Sequence, residues 1–163
     1  MKLLYFLVLI FVFIACQSGA RYTAIKKERA EYFSNKKSPS VKNYDSLIQF
    51  IEDWKNTPYE YGGMDENGID CSGFTSLAFL KVYGKELPRT ARDQYLKGRK
   101  ISQSRLLRGD LVFFKGVRSR GIDHVGIYLE DGKFAHATES RGIIISELSE
   151  TYYEDRYIGA CRY

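Results

Sequence analysis

The chain has 163 residues, with 25 Lys and Arg against 20 Asp and Glu, a formal net charge of +5. That length accommodates one domain of ordinary size. The basic residues are scattered, so the phosphate-tracking stripe that a nucleic-acid partner needs is missing from the pattern.

Lys2 precedes an unbroken apolar run from Leu3 to Ala15, thirteen residues long. A bilayer core needs about 20, so the run suits the apolar part of a secretory signal rather than a membrane span. The junction F-I-A-C sets a small residue before Cys16, as in a bacterial lipoprotein signal whose cysteine is acylated to become the mature N-terminus. Phe13 stands where leucine is usual, and a plain signal peptide cut elsewhere is the alternative. The expected organisation is a signal peptide at 1–15, a lipid-anchored tether at 16–43 rich in Ser, Lys and Arg, and a domain at 44–163. Gln17 after the cysteine, rather than aspartate, points to the outer membrane facing the periplasm. Nucleic acid is not an expected partner for an exported chain.

Within the domain, Leu47, Ile48, Ile51 and Trp54 recur at helical spacing, with Asn43 or Asp45 as cap and Pro58 beyond the end. A polar loop from Tyr59 to Asp70 follows. A second helix is expected over Cys71–Tyr83, with Phe74, Leu77, Ala78 and Val82 on one side and Gly84 as its stop. A short third helix over Ala91–Lys97 takes Thr90 as its cap. After Gly109 the segments L-V-F-F-K, H-V-G-I-Y-L, K-F-A-H-A-T, G-I-I-I-S and R-Y-I-G-A-C-R read as strands between turns. Helices first and strands afterwards predict an α+β fold, a helix packed on an antiparallel sheet.

Cys71 falls at the first turn of the second helix, where free N–H groups and the helix dipole favour a thiolate and lower its pKa. Asp70 is a natural N-cap. A nucleophilic thiol needs a base, and the chain has two histidines, His124 and His136. Between them lies E-D-G-K. A three-residue loop over 130–132, with Gly132 left-handed in a bulge, pairs 129 with 133. His136 then faces Gly126 and lies diagonal to His124 on one face, a relay of nucleophile, base and orienting group. Cysteine with two histidines could instead hold zinc, although neither C-x-x-C nor H-x-x-x-H is present. Cys161, in the apolar segment Y-I-G-A-C-R-Y, reads as a small buried hydrophobe without a disulfide.

D-C-S-G, H-V-G-I-Y and F-A-H-A-T, with Y-E-Y-G-G, L-P-R-T, R-G-D-L-V-F-F, G-I-I-I-S and Y-Y-E-D-R-Y, resemble the NlpC family of bacterial cell-wall cysteine peptidases. The resemblance covers nearly all of residues 44–163 and is nearest to the family's small lipoprotein murein endopeptidases. It implies a papain-like α+β core with Cys71 as nucleophile, His124 as general base and His136 as the residue orienting it. It also implies Tyr59 at the oxyanion site, and Asp70 and Ser72 as substrate-binding positions. No metal or organic cofactor is implied, and the expected form is a monomer.

The implied substrate is the peptidoglycan stem peptide, cut at the D-Ala to diaminopimelate cross-link or at the D-Glu to diaminopimelate bond. A tether without room for a folded wall-binding domain favours the cross-link. Lys115, Arg118 and Arg120 could meet stem carboxylates, or serve only as a solvated loop. The rival readings are a non-catalytic wall-binding lipoprotein and an acyltransferase or amidase on lipids or toxins.

Overall fold

A computed structural model of the protein describes residues 41–116 and 121–163. The expected signal peptide and the expected tether as far as residue 40, with Cys16, and also Arg118 and Arg120, lie outside the described residues. Helical periodicity produces the first element, α1 (Val41–Asp53), which buries Leu47, Phe50 and Ile51. It begins upstream of both residues expected to cap it, so Asn43 and Asp45 lie inside the helix. A two-residue hairpin, β1 (Met64–Asp65) and β2 (Gly68–Ile69), interrupts the segment read as loop.

Helix α2 (Cys71–Ala78) continues as a π-helical turn through Phe79–Tyr83 and stops at Gly84, whose φ of 63° is left-handed. Phe74 and Ala78 are fully buried against the sheet, while Leu77 and Val82 are partly buried at its margin. A side chain such as Phe74 contributes about 1.5–3 kcal/mol when taken wholly from water. Helix α3 (Ala91–Lys97) is capped by Thr90, whose hydroxyl accepts from the Asp93 amide at 3.1 Å.

The five strands expected after Gly109 are present as β4 (Leu111–Lys115), β5 (Ile122–Tyr128), β6 (Lys133–Thr138), β7 (Gly142–Glu147) and β8 (Tyr157–Arg162). Three further elements were not expected: β3 (Arg99–Ile101), a 3-10 turn (Gln103–Arg105) and the single-turn helix α4 (Thr151–Glu154). The antiparallel sheet runs β3-β8-β4-β5-β6-β7. Period-2 alternation divides its apolar residues between two faces. Leu111, Phe113, Val125 and Ile127 pack with α1 and α2, whereas Val112, Phe114 and Phe134 pack with Tyr153 and Tyr157. No helix among the described residues is long and apolar enough to cross a membrane.

The β5–β6 hairpin has the expected register. Ile127 pairs with Ala135, and the Leu129 amide donates to the Lys133 carbonyl at 2.9 Å. The turn itself differs in detail. The Lys133 amide donates to Glu130 O at 2.8 Å, and the two central residues are both left-handed, Asp131 at φ 50° and Gly132 at φ 78°. It is a tight mirror-image turn, with 129 and 130 together opposing 133 as the bulge.

Candidate active site

The N-terminus of α2 is held by Asp70. Its Oδ1 accepts from the Gly73 amide at 2.6 Å and from the Ser72 hydroxyl at 3.0 Å, and its Oδ2 accepts from the Gly62 amide at 3.0 Å. Arg89 closes the cluster as a two-pronged donor, Nη1 to Oδ1 at 3.0 Å and Nη2 to Oδ2 at 2.7 Å. Its Nη1 also reaches Ser72 Oγ at 3.0 Å. Burial raises the Asp70 carboxyl, but Arg89, the Gly73 amide and Ser72 together outweigh it and hold the group below its usual range. Arg89 was visible only as a letter of L-P-R-T. Nothing in the sequence shows that a residue 19 positions away would pair with Asp70.

Cys71 itself is 5% exposed. Its thiol donates to the Asp123 carbonyl at 3.7 Å, and the Val125 and Ser72 amides are directed at the sulfur. Cys71 thus lies against the backbone of β5 on both sides of His124. The expectation of a depressed thiol pKa is corrected here. Burial pushes the thiol up to about 12, and the negative charges of Asp70 and Asp123 add to the rise, against the lowering by the Val125 and Ser72 amides. The helix N-terminus favours the thiolate locally, but desolvation is the larger effect.

His124 and His136 meet as the hairpin register requires. His124 Nε2 and His136 Nδ1 are 2.9 Å apart, with rings at 84° to each other. Opposite His136, Gly126 leaves the necessary space, since a Cβ there would stand 2.8 Å from Ala135 O and 3.2 Å from His136 Cβ. His136 is fully buried, and its Nε2 lies 3.2 Å from Ser146 Oγ and 3.3 Å from the Tyr153 hydroxyl. No group of three His, Cys, Asp or Glu side chains among the described residues is arranged to hold a metal ion.

Tyr59 is half-buried, packs on the helix-side core and bridges to Ile69, two residues before Cys71. Lys115 is exposed at the end of β4. Cys161 is buried in β8 as expected, and its thiol donates to Tyr95 O at 3.4 Å. Cys71 and Cys161 are both free thiols.

Burial lowers His124 to about 4, and burial together with the charges of His124 and Arg141 lowers His136 to about 2. An unfolded histidine takes up its proton near pH 6.5, well before either folded one does. The unfolded state therefore binds more protons below pH 6.5, and stability is lost as pH falls from there toward 4. Between pH 7.5 and 4.5 the loss from the two groups is about 2–5 kcal/mol. Urea unfolding across that range measures it, and His136→Asn is expected to flatten the slope.

A model of the NlpC/P60 family matches residues 56–162. The chain is 37% identical over 145 residues to the Escherichia coli (strain K12) protein named murein DD-endopeptidase MepS/murein LD-carboxypeptidase, covering 88% of this chain and 74% of that one. It is 38% identical over 125 residues to the probable endopeptidase NlpC of the same strain, covering 77% and 81%. Among solved structures, a Staphylococcus aureus protein described as similar to lipoprotein, NLP/P60 family, superposes with a TM-score of 0.70 at 33% identity, over 78% of this chain and 43% of that one. The NlpC/p60 domain of the peptidoglycan hydrolase SagA gives 0.63 at 29% identity, over 74% and 98%.

Proposed function

The chain belongs to the NlpC/P60 family of cysteine peptidases, and we propose that it hydrolyses peptidoglycan stem peptides with Cys71 as nucleophile, His124 as base and His136 as its orienting partner. The observation that carries this reading is the 2.9 Å contact between the two imidazoles, made by a strand whose backbone holds the Cys71 sulfur.

In the free enzyme both partners are neutral: burial keeps the proton on sulfur and off the ring. Attack therefore begins when the thiol turns from the Asp123 carbonyl toward His124, which takes the proton as sulfur bonds to the scissile carbonyl carbon. The Cys71 amide and the Tyr59 hydroxyl receive the developing oxyanion. His124 then returns its proton to the leaving amine, and water, deprotonated by the same imidazole, releases the acyl group.

The bond cut is the D-Ala to diaminopimelate cross-link. The resemblance to MepS supports this, and so does the state of Asp70. With Arg89, Ser72 and two amides on its oxygens, its carboxylate has little capacity left for the free ammonium of a trimmed stem. Anchoring through an acylated Cys16 and an outer-membrane position facing the periplasm, resting on F-I-A-C and Gln17, complete the proposal, with a monomer as the expected form.

Full-length protein and Cys71→Ala, incubated with sacculi and cross-linked muropeptides, test the reading by mass spectrometry. Dimers converted to monomers by the parent alone are the expected result. Shortened stems would move the cut to the D-Glu to diaminopimelate bond. Equal digestion by both proteins would remove Cys71 from the mechanism.

A further inference from the structure

Two motifs, G-I-I-I-S and Y-Y-E-D-R-Y, contain buried hydroxyls to which the mechanism above gives no task, Ser146 and Tyr153. His136 pairs with Ile144 and Phe134 with Ser146, so Ser146 stands diagonally beside His136 on one face of the sheet. Helix α4 brings Tyr153 to the same place, its ring edge-on to His136 at 5.2 Å and to Phe134 at 5.0 Å. The Ser146 hydroxyl donates to the Tyr153 oxygen at 3.5 Å, so it presents a lone pair to His136 Nε2.

A neutral imidazole carries one N–H, and its position here propagates. With the proton on His136 Nε2, Nδ1 accepts from His124 Nε2–H, and His124 Nδ1 is left with a free lone pair. With the proton on His136 Nδ1, that N–H donates to His124 Nε2. The His124 proton is then driven to Nδ1, leaving no lone pair for the thiol proton.

We propose that Ser146 and Tyr153 are positioning residues. Ser146, its own hydrogen donated to Tyr153, accepts from His136 Nε2–H, and the pair thereby selects the His136 tautomer and with it the form of His124 that can take the Cys71 proton. The proposal rests on His124 being the base. No proton passes to the hydroxyls: it moves from sulfur to His124 Nδ1, while His124 Nε2–H stays donated to His136.

Long-range ¹⁵N–¹H correlation spectra of the full chain, with histidine imidazoles labelled, report the tautomer directly. The expected result is Nε2–H on His136 in the parent protein. Nδ1–H there overturns the proposal without any variant, even if the double variant fails to fold. In S146A/Y153F a mixture of tautomers is expected, with kcat lowered roughly 10- to 100-fold at unchanged KM. Ser146→Thr, which keeps the hydroxyl, is expected to retain both the tautomer and the rate. Unaltered Nε2–H with full kcat in the double variant overturns the idea. The spectra need no turnover, so an inactive parent showing Nε2–H would sink the peptidase reading and leave the tautomer selection standing.

Discussion

His124→Ala is expected to lower kcat on cross-linked muropeptides by roughly 10²–10⁴-fold, with KM within about two-fold of the parent. The thiol cannot compensate, because burial holds it protonated with a pKa of about 12. Without an imidazole beside it, the fraction ionised at neutral pH is negligible. Steady-state kinetics on full-length protein make the distinction. A raised KM with kcat intact would make His124 a binding residue. The pH profile supplies a second check, because the base loses its lone pair only on protonation near pH 4. The acid limb of kcat is therefore expected near pH 4, about two units below that of an unperturbed histidine.

Asp70→Ala is expected to cost about 3–4 kcal/mol of folding stability, measured by urea unfolding. Three losses combine in it. The cap of α2 goes as the Gly73 amide loses its acceptor, the Gly62 amide loses its own, and Arg89 is left beside a buried, vacated site. Arg89 is 40% exposed in its side chain and can turn to water, so Arg89→Ala is expected to cost less, about 1–2 kcal/mol. If the pair is what matters, the double variant lies well short of the sum. Strict additivity would mean that Asp70 acts through the amides alone.

How far the sequence reveals these groups depends on the range of the interactions. Thr90 capping α3, Gly84 ending the α2 segment and the histidine face are settled within a few residues of chain or by strand parity, and each is readable. Two-residue strands such as β1 and β2 carry no periodicity to detect, and α4 is a single turn. Arg89 and Tyr153 act 19 and 17 residues away from Asp70 and His136, across loops whose path only the folded chain fixes. The Cys71 pKa runs against the local expectation for the same reason. The dipole is local to α2, whereas desolvation comes from the sheet packed over it.

The turn at Glu130–Lys133 bears on how such a gene can change. Side-chain parity in β6 is counted from this turn, so removing one codon at its tip would slide the strand by one step. Phe134 and His136 would exchange faces with Ala135 and Ala137, the imidazole would leave its partner, and a phenylalanine would swing into the helix-side core. Asp131 is exposed and its identity is loosely held, subject to a left-handed backbone that Asn or Gly would also accept. Surface loops ordinarily tolerate insertions and deletions far better than cores do. Here a point substitution changes little and a one-residue indel displaces the site, so the hairpin tip acts as a spacer whose length matters more than its chemistry.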